Sequence, residues 1–189
     1  TGKENNIRIL EGFAFRFHPQ HEQIRELICR EIGELHNFYG IYGFPLPLED
    51  NIRWKKELGG GVLNDVSCYP IYASRLVFQS EPISVLSHLE FDKKFDVDKS
   101  ADVILKYPNE KTAFVSSGFN NYYQSKYSVW GSKARISTKR AYAVPHDYKT
   151  SVYLDKNDKI SETIIPPVDQ FAIMFDIFCN VITNNIKNP

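Results

Sequence analysis

Two side chains able to exchange protons, Asp65 and Tyr69, stand four residues apart in the apolar segment that follows Gly59–Gly61. In a helix, residues at i and i+4 project from the same face, so this spacing would place a carboxylate beside a phenol. Such a pair can serve in general acid–base catalysis. Consecutive glycines at the helix entrance indicate that some group approaches the backbone closely. The structural alternative is that Asp65 complements a helix N-terminus while Tyr69 packs at a domain edge.

Other polar and aromatic side chains could line a pocket near that pair. Arg16 and His18 follow an apolar run, while Arg53 and Trp54 lie in the loop before the glycines. An arginine suits hydroxyl, carboxylate or phosphate groups, and an indole offers a flat face for stacking. Each residue also has a local alternative. His18 could cap the following helix, Arg16 could pair with a carboxylate, and the loop could simply cover the surface.

Composition narrows the class of protein. The chain has 189 residues, 42% of them hydrophobic and 14% aromatic, which is enough for a packed core. Lys plus Arg (23) equal Asp plus Glu (23), so no basic excess favours nucleic-acid binding. No run approaches the ~18 apolar residues of a membrane span. The three cysteines are far apart and no metal-ligand spacing is present, so we expect reduced thiols, no metal and a cytoplasmic protein.

Hydrophobic periodicity predicts an α+β fold, with an open-faced, mainly antiparallel sheet and two or three helices on one face. The first half is predicted to contain a strand over Ile7–Phe17, a helix from Pro19 to Gly33, a strand over Leu35–Phe44 and a helix after Gly61 that is kinked at Pro70. The second half alternates with period two between turn signals, which predicts an antiparallel meander. A final helix is predicted over residues 170–186, with an apolar stripe of Phe171, Phe175, Phe178 and Ile182.

Three segments together resemble the C-terminal domain of the Gfo/Idh/MocA oxidoreductase family, near its sugar-ketoreductase branch. They are Leu10–Gln20 (LEGFAFRFHPQ), Trp54–Arg75 (with GGGVLNDVSCYP) and Val129–Val144 (VWGSKARISTKRAYAV). The resemblance implies a two-domain enzyme. Its Rossmann domain carries a GxGxxG loop and an EKP motif, binds NAD or NADP and supplies a catalytic lysine. Its second domain forms the substrate pocket and the oligomer interface.

Neither GxGxxG nor EKP occurs in this sequence, so the Rossmann domain is absent from it. We therefore expect residues 1–189 to be a single substrate-binding and oligomerisation domain, a fragment of a two-domain enzyme, with no cofactor-binding residues and no activity alone. The first residue, Thr1, agrees with truncation, although a tag remnant or processed terminus would give the same start. The alternative function is a non-catalytic binding or assembly module that retains the fold.

The resemblance also implies roles for the site residues. Tyr69 would exchange a proton with the oxygen of a secondary alcohol or ketone on a sugar or polyol, and Asp65 would orient that site. A sugar-like substrate would be held by the pocket residues Arg16, His18, Arg53 and Trp54. Helices can cover only one face of the sheet, so the other face, with Phe114 and Trp130, predicts a homo-oligomer.

Overall fold

The computed structural model describes residues 4, 5 and 7–184 and contains one eight-stranded sheet. The strands are β1 (Leu35–Phe44), β2 (Ser84–Phe91), β3 (Asp98–Lys106), β4 (Thr112–Phe119), β5 (Gln124–Gly131), β6 (Arg135–Thr138), β7 (Thr150–Lys156) and β8 (Lys159–Ile165). The helices are α1 (Pro19–Glu31), α2 (Cys68–Phe78) and α3 (Gln170–Thr183). Shorter elements are the 3-10 turns Ala14–Phe17, Ile52–Trp54 and Lys56–Leu58, and the π-helical turn Leu63–Ser67.

The strand order β2-β3-β4-β1-β5-β6-β7-β8 confirms the predicted α+β fold with a mainly antiparallel sheet. The predicted meander is correct on either side of β1 but wrong across it. β1 lies between β4 and β5, parallel to β4 and antiparallel to β5, with Gly40 opposite both Val115 and Tyr127. Periodicity identifies strands by their alternating faces, and it carries no information about which strand inserts between two others.

The two faces of the sheet differ in their covering. One face buries Phe38, Val129 and Ile136 beneath α1 and α2. On the opposite face, the Tyr39 ring stacks on Phe114 at 5.0 Å between centroids and meets the half-exposed Trp130 edge-on at 5.7 Å. The helices therefore leave an aromatic open face, as the sequence predicts.

The predicted strand over Ile7–Phe17 is wrong. Residues 7–13 form neither helix nor strand, and a 3-10 turn follows at Ala14–Phe17. Ile9 is 77% exposed whereas Phe15 is 1% exposed, so the apolar run is not the edge of a buried strand. Its aromatic side chains instead turn into a cluster of rings around α2, described below.

The final helix, α3, packs on the 3-10 turn at Ala14–Phe17, and its N-terminus is capped by the Asp169 side chain. Met174 and Val181 are buried, whereas Phe171, Phe175 and Ile182 of the predicted stripe are more than half exposed. The predicted end at residue 186 lies outside the described residues. None of the helices in the described part of the chain is long and apolar enough to cross a membrane.

Candidate functional site

Tyr69 lies near the start of α2 within a cluster of aromatic rings. Its ring centroid is 5.2 Å from that of Phe13 and 5.5 Å from those of Phe15 and Tyr42. Burial raises the pKa of the Tyr69 phenol, and nearby Asp65 acts in the same direction. The phenol therefore remains protonated at neutral pH, which is the state of a proton donor.

Asp65 forms an ion pair with Arg53, with 2.5 Å between the carboxylate Oδ2 and the guanidinium Nε. The guanidinium also donates to Asn51 Oδ1 at 3.3 Å and lies 5.3 Å from the ring centroid of Phe44. Both charged side chains are about one-third exposed, at 34% for Arg53 and 28% for Asp65. Arg53 was predicted to bind substrate and Asp65 to orient the acid–base site. In the structure the two side chains contact each other.

The carboxylate projects from the π-helical turn Leu63–Ser67, which runs directly into α2. Pro70 follows within the first turn of α2 and has no backbone N–H to donate. The sequence predicts a kink at Pro70, and the structure has a π-helical turn just before it. Such turns widen the spacing of successive side chains, so the backbone at Asp65 is not regular α-helix.

The glycines before this turn accommodate groups from the chain itself. A Cβ on Gly60 would lie 2.5 Å from the carbonyl oxygen of Arg53. Gly61 has φ of +108°, and a Cβ there would lie 2.1 Å from Oδ1 of Asp98. The expected close approach is thus confirmed, and the approaching groups are internal. The Asp98 carboxylate fills the place beside Gly61 and would repel a phosphate there.

Asp65 and Tyr69 line the same open depression of about 340 Å³. Its other lining residues are Glu11, Gly12, Phe13, Asn64 and Cys68. Glu11 and Phe13 were missed as site residues because the sequence predicts a strand there, and no motif spacing marks them. Burial raises the pKa of the Cys68 thiol to about 11, so it is a neutral thiol at neutral pH.

Arg16 and His18 lie on a different cavity, of about 530 Å³, between α1 and α2. The Arg16 guanidinium lies 4.9 Å from the ring centroid of Phe17 and 5.8 Å from that of Tyr72. This cavity does not share a lining residue with the depression at Tyr69. The structure therefore separates these two predicted substrate-binding residues from the predicted acid–base pair.

His18 is 1% exposed and caps α1, because its Nδ1 accepts a hydrogen bond of 3.2 Å from the backbone N–H of Gln20. Burial lowers its pKa to about 4. The structure thus shows the local alternative for His18, a helix cap, and its contact with a substrate stays a prediction.

His21, in the first turn of α1, is held by two partly buried hydrogen bonds. Its Nε2 donates to the carbonyl of Ala141 at 3.2 Å, so its Nδ1 accepts from the Tyr127 hydroxyl at 2.8 Å. Burial lowers the pKa of His21 to about 3. Within the described residues, no three His, Cys, Asp or Glu side chains gather as a metal site.

Trp54 is 5% exposed and therefore has no open ring face for the predicted stacking on a sugar. Its ring packs on Phe95 at 4.9 Å and edge-on against Phe119 at 5.2 Å, and its indole N–H donates to the carbonyl of Pro47 at 3.2 Å. The loop folds inward at the 3-10 turn Ile52–Trp54, so Trp54 anchors the loop to the core, and its role in binding a substrate stays a prediction.

Comparison with known proteins places this architecture in a family. The family model for the GFO/IDH/MocA C-terminal domain matches residues 21–137. A dTDP-3,4-didehydro-2,6-dideoxy-alpha-D-glucose 3-reductase from Saccharopolyspora spinosa is 34% identical over 171 residues, covering 89% of this chain and 51% of the relative. A D-xylose 1-dehydrogenase (NADP(+)) from Haloferax volcanii is 26% identical over 181 residues, covering 95% of this chain and 55% of the relative.

A solved structure has nearly the same backbone. The crystal structure of a 3-ketoreductase from Actinomadura kijaniata, in complex with NADP and TDP-benzene, superposes with a TM-score of 0.93 at 26% identity. The match covers 98% of this chain and 57% of the ketoreductase. The chain thus spans about half the length of the curated relatives it matches. It belongs to the Gfo/Idh/MocA family of oxidoreductases, and its fold is that of the family's C-terminal domain.

Proposed function

We propose that this chain forms the substrate-binding half of the active site of an NADP-dependent oxidoreductase that interconverts a ketone and a secondary alcohol on a sugar. The observation that carries the proposal is the protonated Tyr69 phenol, which lines an open depression beside the Arg53–Asp65 ion pair. A phenol in this state can give its proton to a carbonyl oxygen as that oxygen gains negative charge.

The chain's own residues divide the work as follows. Tyr69 holds the proton at its hydroxyl and donates it to the substrate oxygen. Asp65, fixed by Arg53, sets the charge beside the phenol and orients the edge of the pocket. A nicotinamide dinucleotide, held by a separate Rossmann domain, supplies the hydride when bound. The aromatic rings of Phe13 and Tyr42 restrict access of water to the inner side of Tyr69.

We further propose a nucleotide-linked keto sugar as the substrate class. The support is the Saccharopolyspora spinosa relative, which is a 3-reductase of a dTDP-linked dideoxy sugar. Glu11 and Asn64 are polar residues of the depression that could accept or donate hydrogen bonds to hydroxyl groups of such a sugar.

The test uses the complete protein of which this chain is the proposed C-terminal domain. It is mixed with NADPH and a dTDP-linked 3-keto sugar, and loss of NADPH absorbance is followed. We expect substrate-dependent oxidation of NADPH by the complete protein, and none by the 189-residue chain alone. If the complete protein lacks a Rossmann domain, or leaves NADPH unchanged with keto sugars, the chain is a binding or assembly module instead.

The open sheet face supports the proposal of a homo-oligomer. Leu86 is 70% exposed and Trp130 50% exposed on the face that carries the stacked Tyr39 and Phe114 rings. Light scattering at micromolar concentration should give at least a dimer. Trp130→Glu should dissociate it, because a carboxylate would be buried in the interface. Tyr122→Glu, at an 87% exposed loop position, is the matched control. A monomeric wild-type protein would contradict the proposal.

A further inference from the structure

We propose that Asp98 is a positioning residue for the acid–base pair, acting on Asp65 and Tyr69 through the π-helical turn Leu63–Ser67. Asp98 does not line the depression and therefore has no direct contact with the reacting atoms. The inference rests on the proposed function of Tyr69 and extends it to the device that holds Tyr69 in place.

The contacts of Asp98 all point to the entrance of that turn. Its Oδ2 accepts a hydrogen bond of 2.5 Å from the backbone N–H of Leu63, the first residue of the turn. Its Oδ1 occupies the space where a side chain on Gly61 would lie. Asp98 is 9% exposed, so this charge-assisted hydrogen bond is shielded from water.

The turn has no cap from its own sequence. Val62 precedes it and provides no side-chain hydrogen bond, and neither does Ser67 at the start of α2. The first N–H groups of a helical segment need acceptors, and a negative charge is favoured at this end. Asp98 supplies both from a position 35 residues further along the chain.

Asp98 is anchored in the sheet. It is the first residue of β3 and pairs with Phe91 across the β2–β3 ladder, and the preceding Val97 is 3% exposed. A group at the end of an interior strand that bonds the turn directly can hold that turn in one place. Asp98 thus ties the sheet, through the N–H of Leu63, to the turn that carries Asp65 and runs into the helix that carries Tyr69.

Loss of the carboxylate would therefore free the turn that carries Asp65, while the rest of the depression keeps its shape. The Arg53–Asp65 pair and the Tyr69 hydroxyl would lose their fixed placement. A displacement of about 1 Å in a catalytic group can cost ~100-fold in rate. Binding of the sugar, which depends on many other contacts, would change much less.

The first experiment measures kcat and KM of the complete protein for NADPH-dependent reduction of a dTDP-linked 3-keto sugar, per folded molecule and well below the melting temperature. Asp98→Ala should lower kcat roughly 100-fold with KM almost unchanged. Asp98→Asn keeps an acceptor for Leu63 and should recover about tenfold of that loss. Asp147→Ala, at an exposed loop position, is the control. A purely structural role would lower only the melting temperature, and that result would overturn the proposal.

A second measurement separates this inference from the proposed function. Amide hydrogen exchange of Leu63 is followed by NMR in the 189-residue chain. Asp98→Ala should speed exchange at Leu63 at least about tenfold, whereas Tyr69→Phe should leave it unchanged. Unchanged exchange in Asp98→Ala overturns the positioning role, whatever the activity. Retained turnover in Tyr69→Phe overturns the proposed function and leaves the exchange result to decide whether Asp98 holds the turn.

Discussion

The two regions that the sequence marks for chemistry flank one aromatic cluster but differ in their electrostatics. The Phe15 ring lies 5.5 Å from Tyr69 on one side and 5.4 Å from His21 on the other. The Tyr69 side carries a partly exposed ion pair at an open depression. On the other side, loss of hydration lowers the pKa values of both His18 and His21, so both imidazoles are neutral at pH 7. Residue type alone marks both regions, and only their surroundings distinguish a reactive region from a structural one.

The backbone turns of the two regions also differ in the bonds that hold them. The cap at His18 is itself local, with the N–H of Gln20 as donor, although the neighbouring Gln20 and His21 side chains bond residues more than 100 positions away. The turn at Asp65 is held from distant parts of the chain, by Arg53 on one side and Asp98 on the other. It also needs a glycine with positive φ at Gly61. Unusual backbone maintained by long-range contacts is often found at functional sites.

The largest expected effect on stability is at the glycines of the Tyr69 side. Gly61→Ala introduces a Cβ at φ +108° and against Asp98, so it should destabilise the fold by about 3 kcal/mol or more. Gly59→Ala is the matched control, because Gly59 also has positive φ, +75°, but has open space around it. It should cost only about 1 kcal/mol. Urea denaturation of both variants measures the difference, and equal losses would show that Asp98 does not constrain Gly61.

The helices and strands that have a local signal in the sequence were predictable. β1 spans Leu35–Phe44 as predicted, and Pro19 begins α1 because proline suits the first helical position. The insertion of β1 between β4 and β5 was not predictable, since periodicity does not encode strand order.

The site was predictable only in part. The Asp65–Tyr69 spacing identifies the lining of the depression, but Arg53 as the partner of Asp65 depends on the fold of the loop between them. The contact of Asp98 with Leu63 spans 35 residues and has no local signature. The run before Pro19 was misread because apolar side chains in a ring cluster give the same composition as a strand.

A smaller effect should show whether Arg53 acts as the partner of Asp65 or as a ligand of the substrate. Arg53→Ala in the complete protein should lower kcat about tenfold with little change in KM. Asp65→Ala should cost about the same, and the double variant should be no worse than either, because the two residues act as a unit. Arg75→Ala is the control, because Arg75 lies on α2 and its ion pair with Glu81 is exposed. A rise in KM for Arg53→Ala alone would assign it to the substrate.

A separate effect concerns how the stability of the fold depends on pH through His18. The pKa of His18 is lowered to about 4 in the folded chain, so between pH 6.5 and 4 the unfolded chain binds a proton that the folded chain does not. Stability should fall with acidification by about 1.4 kcal/mol per pH unit for this residue. His18→Asn keeps the cap and should remove the His18 share of that slope, while the share of His21 remains.

His36→Asn, at an exposed position on β1, is the matched control for the pH experiment. The measurement is the free energy of unfolding in urea at several pH values between 4 and 7. An unchanged slope in His18→Asn would mean that His18 is not the buried neutral cap described above.

The most direct test of the central claim compares two tyrosines of α2 in the complete protein. Tyr69→Phe removes only the hydroxyl that is proposed to donate the proton, and Tyr72→Phe does the same one turn away, where the ring stacks on Phe13 at 5.2 Å. We expect Tyr69→Phe to lower kcat for keto-sugar reduction by roughly 100- to 10,000-fold with KM nearly unchanged, and Tyr72→Phe to leave kcat within about twofold of wild type. Equal turnover in the two variants would contradict the assignment of Tyr69 as the proton donor.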